Sequence, residues 1–190
     1  ETQNKKHEDD HPSSDSQNGK KEHVSKHVMV LGDSIIKNVD GWRIGRSTKT
    51  RTTVKSFPGA TVSDCYHYFT PPLKSDPDQI IIHVGTNDLK MKSARTTAES
   101  IVDLATWSST ECPSANIAVS ELTTRKDQEN INCKVSEVNN ILKKFCHQNG
   151  WQFLSHQNID SSSLNRSKLH LNKKGIGLFA SNLIKFINNQ

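Results

Sequence analysis

The stretch Gln79-Ile80-Ile81-Ile82-His83-Val84-Gly85-Thr86-Asn87-Asp88 decides the fold class of this chain. An apolar run without polar alternation reads as a strand buried on both faces, the condition of strands inside a parallel sheet. It stops at Gly85 and gives way at once to polar residues. Four further runs behave alike. Residues 27–31 stop at Gly32, and a weaker run over 52–56 ends at Phe57-Pro58-Gly59. Residues 116–120 form a fourth, and 151–154, entered from Asn149-Gly150, form a fifth. Helical patterns fill the gaps at 35–38, 62–69, 96–108, 130–147 and 173–187. The clearest places Ile131, Val135, Val138, Ile141, Leu142 and Phe145 at spacings near three and four. Strands alternating with helices predict an α/β fold: a three-layer α/β/α sandwich around a flavodoxin-like five-stranded parallel sheet.

The chain has 190 residues, and 32 % are apolar, against about 45–50 % in a typical globular domain. The deficit lies at the N-terminus, where residues 1–26 hold one aliphatic side chain, Val24. Such a segment cannot bury enough surface to offset its ordering entropy. We therefore expect a disordered charged linker over 1–26 and one folded domain over 27–190. Five Lys against six acids leave the linker at −1, so the domain carries +6 of the +5 total. His7 and His11, and His23 and His27, are four apart, a zinc-compatible spacing on a helix, but the segment has no helical periodicity and no metal site is expected. No apolar run is long enough to span a membrane. Cys65, Cys112, Cys133 and Cys146 form no C-x-x-C pair. They read as free thiols in a reducing, intracellular compartment. Beginning at Glu1, the chain reads as a fragment or a processed product.

In open α/β sheets ligands bind at the carboxyl ends of the strands. The first strand ends in Gly32-Asp33-Ser34, the second in Phe57-Pro58-Gly59-Ala60 and the third in Gly85-Thr86-Asn87-Asp88. The approach to the last helix reads Leu169-His170-Leu171-Asn172. Taken singly, each piece has an ordinary structural reading: a Ser at a helix start is an N-cap, Gly after Pro a turn, Asn-Asp a cap. His83 reads as a hydrogen-bonded core or rim histidine, Trp42 and Trp107 as core or semi-exposed packing residues. Arg43, Arg46, Lys49 and Arg51 read as a solvated basic loop. Taken together, the strand ends assemble a chemistry. The Ser34 hydroxyl can act as a nucleophile and His170 can take its proton. The Ser34 N–H, the Gly59 N–H and the Asn87 side chain can hold an oxyanion.

That ordered set resembles the SGNH hydrolases, also called GDSL-type esterases and lipases, over residues 27–188. Gly32-Asp33-Ser34 is similar to the family's nucleophile block, and Gly59 falls at its oxyanion glycine. Gly85-Thr86-Asn87-Asp88 resembles its third block letter for letter, and His170 its catalytic base. The end blocks are also similar to esterase-like domains of invertebrate transposon-related proteins. The resemblance implies a serine esterase that needs no cofactor or metal and hydrolyses a small or exposed acyl ester through an acyl-enzyme at Ser34.

One position departs from the pattern. The family's last block is Asp-x-x-His, and Ser167 stands where that Asp belongs. Losing such an acid from a working triad costs about 10⁴-fold, roughly 5.5 kcal/mol. Either a loop carbonyl accepts the His170 Nδ1–H, the option we favour, or Asp160 folds back as the orienting acid. The rival reading is a weakly active or inactive binding module of a nucleic-acid-associated protein. No G-x-G-x-x-G or G-x-x-x-x-G-K-[ST] follows the first strand, which sets nucleotide-binding domains aside. With aromatics at 6 % and no stacked-aromatic signature, nucleic acid is expected only through other parts of a larger protein. The domain is expected to be monomeric.

Overall fold

The five strands form where the apolar runs predict them: β1 (His27–Gly32), β2 (Arg51–Ser56), β3 (Gln79–His83), β4 (Asn116–Ser120) and β5 (Gln152–Leu154). The computed structural model describes residues 25–190. The expected linker up to position 24, with His7, His11 and His23, lies outside the described residues. Every strand pair is parallel, in the order β2-β1-β3-β4-β5, which is the flavodoxin-like order. β1 and β3 are buried at every position, as their unbroken apolar runs require.

Five helices cover the sheet: α1 (Gly41–Thr48), α2 (Val62–Leu73), α3 (Ala94–Glu111), α4 (Ile131–Asn149) and α5 (Lys173–Asn188). The inward faces of α2, α3 and α4, with Phe69, Ile101 and Leu142, pack on Leu31, Ile80 and Ile82. On the other face, Ile44 from α1 and Phe179 and Leu183 from α5 pack on Val28, Val30 and Ile81. The three-layer sandwich expected from the sequence is the fold. No described helix is long and apolar enough to cross a membrane, and all four cysteines are free thiols.

Three local expectations need correction. The helix expected over 35–38 is a three-residue 3-10 turn, Ser34–Ile36. The basic stretch is not a loop: it is α1 and the first residue of β2. Only Ile44 and Gly45 of α1 are buried, too few to produce a readable period. The helix instead starts on the Asp40 carboxylate, which accepts the Arg43 N–H at 3.1 Å, and ends at Lys49 with φ 55°. Trp42, expected to pack, is 66 % exposed. Trp107 does pack, 5.2 Å from the Tyr66 ring.

A chain of buried polar groups ties β3 and β4 to α5. The Asn182 amide donates to His156 Nδ1 (3.0 Å), His156 Nε2 meets Ser120 Oγ (2.9 Å), and Ser120 Oγ meets His83 Nδ1 (3.0 Å). Phe179 stacks on the His156 ring at 4.1 Å. Burial lowers the His83 pKa to about 3, and burial, then His83, holds His156 well below its ordinary value. A third buried group, Asp33, moves the other way. Its carboxyl is pushed up to about 6 by burial, against the Ile35 N–H, Thr86 and the Arg125 guanidinium. Its Oδ1 accepts the Ile35 N–H at 3.0 Å, while Oδ2 has no hydrogen-bonded partner.

These shifts set the acid limb of stability. Above the ordinary His value of 6.5, both histidines are neutral folded and unfolded. Below it the unfolded chain takes up protons that the fold excludes, so stability is lost as pH falls from 6.5 toward 3. Asp33 opposes this between its ordinary 3.8 and about 6, where the folded state holds a proton that the unfolded state has released. We expect urea-unfolding free energy to fall with pH below 6.5. Asp33→Asn keeps a capping oxygen but removes the opposing proton. It should steepen the loss between pH 4 and 6 by up to about 1.4 kcal/mol per pH unit. An unchanged slope in this variant would mean that Asp33 titrates normally in the fold.

Candidate active site

β1 ends beside β3, where the Asp33 N–H donates to the His83 carbonyl at 3.1 Å. The chain then turns into the 3-10 segment, with Asp33 as its cap, and Ser34 emerges half-buried at the sheet edge. The Ser34 N–H makes no hydrogen bond among the described residues. This follows from its place at the head of a helical turn, where the first N–H groups have no internal acceptor.

The second strand end is a type II turn. The Ala60 N–H reaches the Phe57 carbonyl at 3.1 Å, Pro58 takes the first central position and Gly59 the second, with φ +84°. That positive φ is what glycine supplies there. The Gly59 N–H is also without a partner among the described residues.

The third strand end holds the second in place. The Asn87 Nδ2 donates to the Ala60 carbonyl at 2.9 Å, and Asp88 Oδ2 accepts the Val62 N–H at 2.9 Å at the start of α2. Asn87 makes no capping bond with its side chain, which leaves its second amide hydrogen for another acceptor. The turn into this segment is made by Gly85 at φ +120°, where a Cβ would come within 2.7 Å of Ile101 Cδ1 on α3. The segment is braced from behind by a residue the sequence reading passed over. Arg125, 1 % exposed, donates to the Thr86 carbonyl and grips Asp127 with Nε–Oδ1 at 2.9 Å and Nη2–Oδ2 at 2.6 Å. The available signal was Arg125-Lys126-Asp127 in the loop that follows the fourth strand.

His170 lies on the return arm of a small hairpin. Leu164 and Leu171 bridge antiparallel, and the Asn165 N–H donates to the His170 carbonyl at 2.7 Å. The Lys168 N–H closes the turn onto the Asn165 carbonyl at 3.0 Å, with Lys168 at φ 57°. Asn172 pins the base of the hairpin. It caps α5 through the Gly175 N–H (3.0 Å) and donates to the Ser162 and Leu164 carbonyls. This framework brings His170 Nε2 to 3.1 Å from Ser34 Oγ. Both residues line an open cleft of about 320 Å³ with Lys37, Asn38, Pro58 and Asn165.

Among the described residues, none makes a hydrogen bond to His170 Nδ1; the ring's one side-chain bond is to Ser34. Asp160 Oδ1 caps the turn that follows it, accepting the Ser162 N–H at 2.9 Å and the Ser162 and Ser163 hydroxyls at 2.6 and 3.3 Å. Those hydroxyls, with the Ser162 N–H, hold its carboxyl below the usual range. His170 Nδ1 makes no hydrogen bond to a loop carbonyl either, and three carbonyls near it in the chain are taken by other N–H groups. Asn165 O serves the Lys168 N–H, Lys168 O the Lys126 N–H, and Ser163 O the Asn172 N–H. Ser167 is exposed and donates to Asn165 Oδ1 at 2.7 Å.

The profile of the GDSL-like lipase/acylhydrolase family matches residues 30–176. Solved structures with the same fold include a lipase/acylhydrolase from Enterococcus faecalis, 14 % identical with TM-score 0.70, covering 86 % of this chain and 96 % of that one. A GDSL-like lipase from Parabacteroides merdae is 14 % identical with TM-score 0.72, covering 87 % and 96 %. An acetylxylan esterase from Geobacillus stearothermophilus is 14 % identical with TM-score 0.68, covering 85 % and 94 %. Among curated proteins none matches the sequence. Nucleophile-type strand ends on a 2-1-3-4-5 parallel sheet, matched by that profile over most of the folded residues, place the chain in the GDSL-like lipase/acylhydrolase family.

Proposed function

We propose that the chain is a serine esterase working through a Ser34–His170 dyad. The observation that carries this is the 3.1 Å contact between Ser34 Oγ and His170 Nε2, at a serine with no competing side-chain bond. In this reading Oγ attacks the acyl carbonyl while Nε2 takes its proton. The oxyanion that forms is met by the Ser34 and Gly59 N–H groups and the Asn87 side chain, donors worth about 2.7–4 kcal/mol each in the transition state. His170 then protonates the leaving alcohol, and water releases the acid by the same steps in reverse. No metal or organic cofactor enters this scheme.

The cleft argues for a small or exposed ester. It is open, and Lys37, Asn38 and Asn165 give it polar walls, which suits an acetylated sugar better than a long acyl chain. The esterase from Geobacillus stearothermophilus acts, by its name, on acetylxylan, a substrate of that chemical kind. The imidazolium formed during acylation has no carboxylate beside it, since Asp160 is engaged elsewhere. That places the expected rate below that of a full triad, and it keeps a weakly active binding module as the rival reading.

Two experiments separate these readings. Ser34→Ala should reduce hydrolysis of p-nitrophenyl acetate by about 10⁴–10⁶-fold, with the melting temperature held. Turnover at the parent rate would overturn the nucleophile. Ser167→Asp restores an acid at the family's position. It should raise kcat/KM by about tenfold to a few hundredfold, less than the 10⁴ of an intact triad. A parent and a Ser167→Asp variant that are equally inert, with the fold intact, would favour the binding module.

A further inference from the structure

The helix that the sequence hides assembles a surface with no part in the site above. Trp42, Arg46 and Lys49 stand at positions i, i+4 and i+7 of α1 and its cap, so they share one helix face. All three are exposed. The Arg46 guanidinium lies 4.8 Å from the centre of the Trp42 ring, a cation–π contact at an indole that is 66 % exposed. On one side of this ridge a groove of about 400 Å³ opens between α1 and β2, lined by Arg46, Lys49, Arg51 and the Thr50 and Thr52 residues. Gly41 and Gly45 let the helix lie close on β2 at its floor. On the other side a second depression, about 530 Å³, is lined by Trp42, Arg43, Arg46 and Ser47. Among the described residues no carboxylate lines either one. The nearby Asp40 is engaged by Arg43 at 3.2 Å and by its capping bond.

We propose that this face binds single-stranded nucleic acid, with a base stacked on the open face of Trp42 and the phosphates on either side met by Arg43, Arg46, Lys49 and Arg51. Two features favour a nucleotide chain over an acidic peptide. A solvent-exposed indole between two cation-lined channels offers a flat π-surface beside positive charge. Carboxylate side chains would use the cations and leave the indole idle. Stacking platforms flanked by positive grooves are the general solution for binding single strands without sequence preference. This revises the expectation that nucleic acid is reached only through other parts of a larger protein. That expectation rested on the low aromatic count, whereas one correctly placed indole supplies a platform. The proposal does not depend on the esterase reading, because Ser34 and His170 line a different cleft.

The test is fluorescence anisotropy of a labelled oligouridylate and an oligothymidylate, each about 15 nucleotides long, titrated with the full chain at several salt concentrations. Binding should weaken with salt with a log–log slope of about −2 to −3, as three to four neutralised phosphates predict for a single strand. Trp42→Ala should weaken binding about five- to 150-fold. Arg46→Gln with Lys49→Gln should make the slope shallower by about 1.4. The same charge removed on exposed α4 residues, Lys143→Gln with Lys144→Gln, should leave the slope unchanged, and Ser34→Ala should bind like the parent. Absence of binding at ~50 mM salt would overturn the proposal. So would equal weakening by the α4 pair. Displacement by oligoglutamate as effective as by unlabelled oligouridylate would overturn it in favour of an acidic peptide.

Discussion

The hydrogen bond from the Asp33 N–H to the His83 carbonyl, 3.1 Å long, joins the end of β1 to the end of β3, and the site is built outward from it. A parallel sheet covered on both faces is apolar through the middle of its inner strands, and its buried polar side chains, such as His83 and Ser120, stand at strand ends where they find partners. Its chemistry is therefore confined to the rim where the ladders stop. With β1 and β3 locked side by side at that rim, Ser34 and the Gly85–Asp88 segment leave the sheet as neighbours. β2, paired to the other edge of β1, brings the Gly59 turn up to them. Asn87 and Asp88 then fasten that turn and the start of α2. Ser34 is positioned by backbone, and the proposed oxyanion donors are positioned by one another.

The rigidity of that rim has a cost that the structure meets with buried charge. Arg125 is almost wholly enclosed, and a guanidinium in that position is tolerable only because Asp127 and the Thr86 carbonyl take up its donors. Removing one partner from such a pair typically costs about 3–5 kcal/mol, most of it from the charge left behind. The pair is thus a brace on the segment that carries Asn87 more than a source of net stability. The same guanidinium also helps keep the Asp33 carboxyl from rising further. The cap of the Ser34 turn and the brace of the third strand end therefore share one electrostatic environment. On the opposite face, the His83–Ser120–His156–Asn182 chain performs a similar service for α5, whose first turn follows directly on His170.

What could be read in the sequence was whatever has a short range. Apolar runs, unbroken in the middle of β1 and β3 and weaker in β2, located the five strands, and the ordered strand ends named the residues that meet at the rim. The helix α1 was not legible because two buried residues in eight make no period; it is held by a cap and by glycines lying close against β2. Arg125 was not legible because its partners in space include a carbonyl 39 residues away. His83 was read as a core histidine, but its partner Ser120 stands 37 residues on, and only the strand register brings the two together. The group expected to orient His170 was inferred from what a triad requires. No described carbonyl accepts from the His170 ring, and Asp160 spends its carboxylate on a cap.

A dyad without its acid relies on geometry where a triad adds charge. The Ser34–His170 contact is held on one side by the capped 3-10 turn and on the other by a hairpin pinned through Asn172. Under the proposed mechanism this pair activates Ser34, whereas Ser120, which also meets two histidines, is buried. The most direct measurement is treatment of the full chain with a fluorophosphonate, followed by peptide mass spectrometry. The account predicts a single phosphonyl adduct on Ser34. Failure to label the folded protein, or an adduct on another serine in its place, would contradict it.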